Sequence, residues 1–251
     1  MTTLFLFAHQ DDEIGVLHEI LKAVRAGDRV VCIYLTNGGA GKATPQERNA
    51  ESSRCLTSLG VSPDDLIFLG TEQDIPDGRL PDNLERGWSK LIETVEPLQP
   101  VRRIFTHAFE GGHQDHDAAS VIGTLLAKRL GCLEESRQFP LYRAPGGRFL
   151  LKFAKPLQAN GPVERSPISI NEKSLILSKL FQYPSQSIVM MKLGPRMALD
   201  FLIDGAQKLQ PLSLARLREP PNDAYLYEAW KIYDYARFRR LTDAFLQAHE
   251  G

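Results

Sequence analysis

The stretch Leu4-Phe5-Leu6-Phe7-Ala8-His9-Gln10-Asp11-Asp12-Glu13 lies near the start of the chain and decides its fold. Its apolar first half predicts a β-strand that is covered on both faces. Its second half places an imidazole and three carboxylates directly after that strand. A similar group, His113-Gln114-Asp115-His116-Asp117, follows the apolar run Ile104-Phe105-Thr106. Two dense His/Asp clusters, each after a predicted strand, indicate a metal site assembled from distant parts of the chain.

Strand-like and helix-like segments alternate over the first 143 residues. Apolar strands separated by helices predict a parallel sheet with helices on both faces. The predicted fold class is therefore α/β, with a Rossmann-like, doubly wound and mainly parallel sheet. The predicted strands are Thr3–Ala8, Val30–Leu35, Leu66–Leu69, Arg103–Thr106 and Phe139–Arg143. The predicted helices are Asp12–Ala26, Pro45–Leu59, Leu84–Glu96 and Asp115–Leu130.

The order of these strands decides whether the two clusters meet. In the common doubly wound order 3-2-1-4-5, the first and fourth strands are neighbours at the topological switch point. These are the two strands that the clusters follow. We therefore expect both clusters over one crevice, although 104 residues separate Asp12 from His116.

The pattern weakens after residue 143. A helix is predicted over Asn171–Gln182, and Tyr225–His249 contains a final helix. We interpret residues 144–251 as cap or lid elements on a core of residues 1–143, so that residues 1–251 form a single domain. Aromatic residues and arginines crowd the last part of the chain, where the favoured interpretation is a helix with its aromatic side on the core and its arginines in water.

Composition excludes several classes of protein. A net charge of −1 disfavours nucleic acid and anionic membranes as partners. No segment has the roughly 18–20 apolar residues of a membrane span. The N-terminus lacks the basic region of a signal peptide.

Three scattered cysteines argue against a disulfide scaffold and for a reducing compartment, and Cys32 is expected to be a buried thiol. The expected location is cytoplasmic, and a homo-oligomer is possible.

In the first cluster, His9 and Asp12 are three residues apart and face the same way on a tight turn. Imidazole nitrogen and carboxylate oxygen are both suitable ligands for Zn²⁺. Asp11 points elsewhere and is free to act as a general base beside a metal-bound water. Glu13 falls in the first helical turn, where a negative charge suits the helix dipole. The alternative is that these acids only mark the start of a helix.

In the second cluster, Gly111-Gly112 permits a turn that β-carbons would obstruct. His113 and His116 are again three apart, so that one can bind metal while the other faces a substrate. Asp115 and Asp117 are candidates for orienting the imidazoles. A catalytic Zn²⁺ typically takes three protein ligands and keeps one open position, and His9, Asp12 and His116 supply that number. A solvated helix start is the alternative here too.

The two clusters resemble the (A)HPDDE and HPDH motifs of the PIG-L/LmbE-like de-N-acetylase family. The resemblance runs in family order from about residue 3 to residue 187. The further residues that match are Thr36-Asn37-Gly38-Gly39-Ala40-Gly41, Arg48 with Glu51, Leu59-Gly60-Val61, Asp77-Gly78 with Leu80, and Lys179 with Tyr183, Ser185 and Gln186.

The resemblance implies a role for each matching position. It implies zinc ligands at His9, Asp12 and His116, a general base at Asp11, and an oxyanion-stabilising histidine at His113. Both family prolines are glutamine here, Gln10 and Gln114, which leaves the ligands intact but changes the turns and hence the fit of the substrate. Another divalent transition metal is an alternative to Zn²⁺.

The predicted activity is metal-dependent hydrolysis of a linear amide, which removes an acetyl group from the amine of an N-acetylated amino sugar or glycoconjugate. Asp11 would take the proton of the attacking water, and protonated His113 would stabilise the oxyanion. The alternative in the same fold is a zinc-dependent hydratase or lyase of a small unsaturated acid. A third hypothesis is a binding protein that has no catalytic activity. A nucleotide-binding protein is disfavoured, because carboxylates stand where GxGxxG is required.

Three further residues carry open expectations. Arg48 either contacts a substrate phosphate or carboxylate, or forms a surface pair with Glu51. His107 lies on the rim of the crevice or, as we prefer, simply ends a strand. His18 is expected on a helix surface.

Overall fold

The computed structural model describes residues 1–39, 43–144, 152–187, 199, 202–203, 205–222 and 224–250. Ala40 and Gly41, the end of the glycine-rich loop, lie outside the described residues, as does much of 188–204. The strands are β1 Thr2–Phe7, β2 Arg29–Tyr34, β3 Leu66–Ile67, β4 Val101–His107, β5 Arg137–Phe139, β6 Tyr142–Arg143, β7 Lys152–Phe153, β8 Glu164–Pro167 and β9 Ala206–Pro211. The α-helices are α1 Leu17–Arg25, α2 Pro45–Thr57, α3 Leu69–Glu72, α4 Leu84–Val95, α5 Gln114–Arg129, α6 Ile170–Lys179, α7 Leu214–Leu217, α8 Leu226–Ala229 and α9 Tyr235–His249.

The main sheet has the order β3-β2-β1-β4-β5-β9-β8. Strands β1 to β5 pair in parallel, which confirms the predicted order 3-2-1-4-5. Because β1 and β4 are neighbours, the residues after Phe7 and after His107 emerge at the same edge of the sheet. This edge is the crevice at the topological switch point.

The predicted cap region contributes to the sheet itself. β9 pairs antiparallel with β5, and β8 pairs antiparallel with β9. Residues 144–251 are therefore more than a lid, since two of their strands extend the core sheet. β9 has the polar sequence Ala-Gln-Lys-Leu-Gln-Pro, which is why its hydrophobic pattern did not reveal a strand.

β1 holds the centre of the molecule together because both of its faces are buried. Leu4 and Leu6 belong to the apolar cluster on one face of the sheet, and Phe5 and Phe7 belong to the cluster on the other. The Phe5 ring stacks on Phe105 of β4, with ring centroids 4.9 Å apart. The continuous apolar run at the start of the chain is thus the central strand that it predicts.

Two predicted elements are divided in the structure. Residues 12–26 begin as a 3-10 helix, Asp12–Val16, and become α-helical only at Leu17. The first turn is tightened because Asp12 and Glu13 are buried and turn inward. The predicted strand over residues 139–143 breaks at Pro140, after which β6 pairs with β7 in a separate two-stranded sheet.

α2 begins as Thr44-Pro45-Gln46-Glu47 predicts. The Glu47 amide donates to the Thr44 hydroxyl over 3.2 Å, and the Thr44 amide donates to the Glu47 carboxylate over 2.8 Å. This reciprocal capping box fixes the first turn of α2. It thereby sets the position of Arg48 one residue later in the helix.

The expectation for His18 was wrong. His18 is buried, and its Nδ1 lies 3.0 Å from Glu172 Oε1 in α6, while its Nε2 lies 2.9 Å from Ser166 Oγ in β8. It therefore joins α1 to the later part of the chain. The sequence pattern gave the wrong exposure for His18 because the position of a histidine on a helix does not show what packs against that face of the helix.

All three cysteines are free and buried, as Cys32 was expected to be. Of the helices that the structure describes, none combines the length and the apolar character that a membrane crossing requires. The aromatic residues Phe238 and Phe245 of α9 are buried in the core, whereas Trp230 before this helix is half exposed.

Gly70 lies where the packing leaves no room for a β-carbon. A β-carbon there would lie 2.2 Å from backbone atoms of Thr36, so the chain must shift to admit one. We expect Gly70→Ala to lower the free energy of unfolding by about 1–3 kcal/mol, measured by urea denaturation. Gly87→Ala in α4 is the control, because its nearest neighbour would lie 3.5 Å away. An unchanged urea midpoint for Gly70→Ala would contradict this account of the packing.

Candidate metal centre

The two His/Asp clusters meet at the edge of the sheet, as the strand order predicts. His9 follows β1, and His116 lies in the first turn of α5. His9 Nδ1 lies 3.3 Å from His116 Nε2 and 3.4 Å from Asp12 Oδ2. His116 Nε2 lies 3.1 Å from Asp12 Oδ1. The three residues predicted as ligands are therefore mutual neighbours, and all three are buried.

These distances are similar in size to the spacing between ligands of a tetrahedral ion. With bonds of about 2.0 Å to nitrogen and oxygen, two ligands of a tetrahedral Zn²⁺ are about 3.3 Å apart. The contacts among His9, Asp12 and His116 run from 3.1 to 3.4 Å, and Asp12 meets His9 through Oδ2 but His116 through Oδ1, so the three distances do not belong to one set of three ligand atoms. Two imidazoles and one carboxylate are also a donor set that Zn²⁺ accepts. The residues present thus suit a divalent transition metal.

Two further carboxylates surround His9. Asp115 Oδ2 lies 3.0 Å from His9 Nε2, and Asp77 Oδ1 lies 3.3 Å from the same atom. Asp115 also accepts the backbone amides of Gly78 and Leu80, so it joins His9 to the loop before α4. The orienting role of Asp115 stays a prediction, and its contact with His9 is observed. Asp77 was not singled out as a site residue, although its match to the family pattern could have pointed to it.

Asp117 does not orient an imidazole in the way the sequence suggested. Its Oδ1 accepts the backbone amides of Glu110 and Gly111 over 3.0 and 3.1 Å. It therefore fixes the turn between β4 and α5. Spacing alone could not separate Asp115 from Asp117, because both stand in the first turn of the same helix.

His107 ends β4, as the preferred expectation had it, and it also lies against two of the predicted ligands. Its Nε2 lies 3.1 Å from Asp12 Oδ2 and accepts the backbone amide of Ala8 over 3.1 Å. Its ring is stacked on that of His116, with centroids 4.1 Å apart and planes 5° from parallel. Among the described residues, three groups have ligand atoms close enough to hold a metal ion: Asp12 with His107 and His116, His9 with His113 and His116, and His9 with Asp77 and Asp115. His107 ends β4, which is the position at which a doubly wound sheet places functional side chains.

Because of these contacts, we expect His107→Phe to weaken metal affinity by about 10–100-fold, as is usual when a partner of a metal ligand is removed. Phenylalanine keeps an aromatic ring against His116 and removes both nitrogens. Competition with a chromophoric chelator measures the affinity. His18→Phe is the control, since it removes a buried histidine and its 3.0 Å carboxylate contact elsewhere. Equal affinities for wild type and His107→Phe would show that His107 only packs.

Asp11 has a backbone conformation that is uncommon outside glycine. Its φ is 100°, in the left-handed region. Its amide donates to Glu13 Oε2 over 2.9 Å, and its Oδ1 accepts from Arg48 Nη2 over 3.0 Å. Burial raises the pKa of Asp11 to about 7, against the opposing effect of Arg48. A carboxyl group with such a pKa exchanges protons near neutral pH.

Neither expectation for Arg48 describes its contacts in full. It is buried and donates to Asp11 and to the carbonyl oxygen of Gln10. Glu51 instead accepts the amide and the hydroxyl of Ser185, so the surface pair was wrong. The contact of Arg48 with a substrate stays a prediction, whereas its contact with the proposed base is observed.

His113 is the N-cap residue of α5 and is less buried than His116. Its Nδ1 accepts the Asp115 amide over 3.2 Å, so in the neutral ring the proton is on Nε2. Burial lowers the pKa of His113 to about 3, which favours this neutral form. The sequence led us to expect a protonated His113, whereas these observations favour a neutral imidazole. The neutral ring can still donate a hydrogen bond from Nε2.

Burial and neighbouring charges shift the pKa of each of the three predicted ligands. Burial lowers the pKa of His116 to about 4, so its ring is neutral at physiological pH and has a free lone pair. Burial also opposes ionisation of Asp12, but His116 and His107 outweigh it and hold the pKa of Asp12 well below its usual value. For His9, burial is outweighed by Asp77, Asp115 and Asp12, and the pKa is raised, so its ring has to lose a proton before it can bind a metal ion. The cluster is thus rich in carboxylates and favours a cation.

The two glutamines at the family's proline positions each connect the site to a loop. Gln10 Nε2 donates to Asn49 Oδ1 over 2.6 Å, and Gln114 Nε2 donates to the carbonyl of Gly78 over 3.1 Å. Both side chains are fully buried. They therefore supply hydrogen bonds that proline could not make.

Comparison with protein families supports the resemblance that the motifs suggested. Residues 4–127 match the family model PIG-L, described as GlcNAc-PI de-N-acetylase. The matched stretch includes both His/Asp clusters. No curated protein matches the chain significantly.

Several solved structures share this fold. A deacetylase of teicoplanin biosynthesis is 15% identical, with a TM-score of 0.59, and the match covers 84% of this chain and 97% of that one. A conserved protein from Thermus thermophilus is 24% identical, with a TM-score of 0.58 and coverage of 84% and 94%. The N,N'-diacetylchitobiose deacetylase of Pyrococcus horikoshii is 18% identical, with a TM-score of 0.52 and coverage of 84% and 82%. At these identities the likeness shows the fold.

Proposed function

Because the chain belongs to the PIG-L family, we propose that it is a metal-dependent deacetylase that removes an acetyl group from the amine of an N-acetylated amino sugar or glycoconjugate. The observation that carries this proposal is the close approach of His9, Asp12 and His116, within a cluster of His and Asp side chains that could hold a metal ion, with Asp11 hydrogen-bonded to Arg48. Two of the structurally similar proteins are deacetylases, one of N,N'-diacetylchitobiose and one of the teicoplanin pathway.

In this proposal His9, Asp12 and His116 hold the ion, which is Zn²⁺ or another divalent transition metal. When bound, such an ion acidifies water and polarises a carbonyl oxygen. Asp77 and Asp115 keep the His9 ring in place through its Nε2. His107 contacts Asp12 Oδ2, the same oxygen that accepts the His9 amide. The structurally similar teicoplanin deacetylase has a zinc-inhibited form, so the metal supplied in an assay has to be varied.

Asp11 is the proposed general base. It takes a proton from water as the water oxygen attacks the acetyl carbonyl carbon. When the C–N bond breaks, the same proton passes to the amine nitrogen, and the products are acetate and the free amine. Its raised pKa suits both steps, because a group that titrates near the working pH both accepts and returns a proton.

His113 is the proposed donor to the oxyanion. Its Nδ1 is occupied by the Asp115 amide, and its Nε2–H is free to donate to the carbonyl oxygen as negative charge develops there. A well-placed donor of this kind contributes roughly 3–4 kcal/mol to stabilisation of the transition state. The half-buried position of His113 leaves its ring accessible from the crevice.

The proposal is tested by elemental analysis of the purified protein together with an acetate-release screen over N-acetyl sugars, nucleotide sugars and glycolipids. We expect close to one metal per chain and acetate release from at least one class. The screen is repeated with Zn²⁺, Co²⁺ and Mn²⁺ at one equivalent and in excess. Less than about half an equivalent of any transition metal after metal-replete purification would contradict the proposal. Hydration of unsaturated acids without acetate release would favour the hydratase instead.

A further inference from the structure

The backbone of Asp11 requires support from its surroundings. A non-glycine residue at a φ of 100° persists only where neighbouring contacts hold it. Two contacts act on the backbone itself: the Asp11 carbonyl accepts the Ile14 amide over 3.1 Å, and the Asp11 amide donates to Glu13 Oε2 over 2.9 Å, which is the contact made with a side chain. The position of the Glu13 carboxylate therefore bears directly on the conformation of Asp11.

Glu13 is in turn held from a distant part of the chain. It is fully buried, and its other oxygen, Oε1, accepts the hydroxyl of Tyr183 over 2.8 Å. Tyr183 lies 170 residues further along the chain. The two oxygens of one carboxylate thus connect the Tyr183 hydroxyl to the Asp11 amide.

Tyr183 is itself rigidly placed. Its side chain is 1% exposed and packs in the apolar cluster beneath α1 and α2. The segment around it is anchored on α2 at two points: Lys179 Nζ donates to Ser58 Oγ over 2.8 Å, and the Ser185 amide donates to Glu51 Oε1 over 2.8 Å. A tyrosine that is fixed at its ring and bonded at its hydroxyl can fix the group that it binds.

We propose that Tyr183 is a positioning residue that holds the backbone of Asp11 in its left-handed conformation through the carboxylate of Glu13. Its side chain is buried, so it acts through Glu13. The later part of the chain, which the sequence suggested was a lid, therefore takes part in placing the catalytic carboxylate. The consequence for catalysis rests on the proposed function, in which Asp11 is the base. The hydrogen bonds that connect Tyr183 to Asp11 through Glu13 do not depend on that function.

The test compares Tyr183→Phe with Tyr233→Phe. Tyr233 is a matched control, because it is also buried and its hydroxyl also donates to a carboxylate over 2.8 Å, that of Asp82. Both variants lose one tyrosine–carboxylate hydrogen bond and keep the ring, so both are expected to fold with similar thermal midpoints. Only Tyr183 is connected to Asp11.

The first readout is hydrogen exchange of the Asp11 amide, followed by NMR on the metal-loaded protein. We expect Tyr183→Phe to accelerate this exchange about 10-fold, while Tyr233→Phe leaves it unchanged, because only the first substitution removes a hydrogen bond from the Glu13 carboxylate. Equal exchange in wild type and Tyr183→Phe would overturn the proposal. So would an equal acceleration in Tyr233→Phe, since that would indicate general loosening.

The second readout is steady-state kinetics on a substrate found in the acetate screen. We expect Tyr183→Phe to lower kcat about 10-fold, with KM and metal content unchanged, as for the loss of an outer contact of an active-site group. An unchanged kcat would overturn the catalytic part of the inference. If wild-type protein releases no acetate, the proposed function fails, and the exchange experiment still decides the link from Tyr183 to Asp11.

Discussion

Asp11→Asn is expected to retain a full equivalent of metal and to lower kcat about 10³-fold, which is within the range for the loss of a general base. Asparagine is nearly the same size, and the three proposed ligands are left in place. It cannot accept a proton from water at neutral pH. Metal content is measured by elemental analysis, and kcat by acetate release.

Arg48 makes this experiment informative. In the variant, Arg48 keeps its contact with the carbonyl of Gln10 and loses its carboxylate partner. Arg48→Lys is the companion variant, since it keeps the charge and disturbs only the geometry around Asp11. It is expected to lower kcat less than Asp11→Asn does. Near-full turnover in Asp11→Asn would refute the assignment of the base, and loss of metal would show that Asp11 belongs to the ligand set.

His116→Ala is expected to weaken metal affinity by at least about 100-fold, because removal of a ligand costs more than the 10–100-fold that removal of an outer partner costs. Acetate release is expected to fall in proportion to the metal lost. The reason is geometric: His116 Nε2 is close to both His9 Nδ1 and Asp12 Oδ1, at 3.3 and 3.1 Å. Affinity is measured by chelator competition on the purified protein.

His249→Ala serves as the control for this experiment. His249 Nε2 lies 2.8 Å from Glu85 Oε2, far along the chain in α9 and outside the proposed metal site. The substitution removes an imidazole with a carboxylate partner and is expected to leave metal affinity unchanged. If His116→Ala binds metal as tightly as wild type does, His116 is not a ligand, and the alternative set with His107 has to be tested next.

Much of the architecture could be predicted because it depends on patterns that repeat. The apolar run after Thr3 predicted a strand buried on both faces, and the alternation that follows it predicted the common doubly wound order of five strands, which the structure has. Adjacency of β1 and β4 then brought His9, Asp12 and His116 together without any knowledge of contacts. The capping box at Thr44 predicted the start of α2 because its hydrogen bonds are local.

What could not be predicted depends on partners that are distant in the chain. His107 looked like the end of a strand, and only the stacking on His116 reveals its place in the site. His18 looked exposed, because Glu172 and Ser166 are about 150 residues away. The protonation of His113 follows from an amide hydrogen bond and from burial, and neither can be seen in a motif.

The adjacency of β1 and β4 has a thermodynamic consequence. Ligands that come from both strands' ends exist as a set only when the two strands are paired, so an ion at this site would bind the folded chain and not the unfolded one. Such an ion adds stability by mass action, about 2.7 kcal/mol when its free concentration is one hundred times its dissociation constant. Metal supply would then affect the stability of the folded protein as well as its turnover. Removal of the metal by a chelator would lower the free energy of unfolding of the whole sheet.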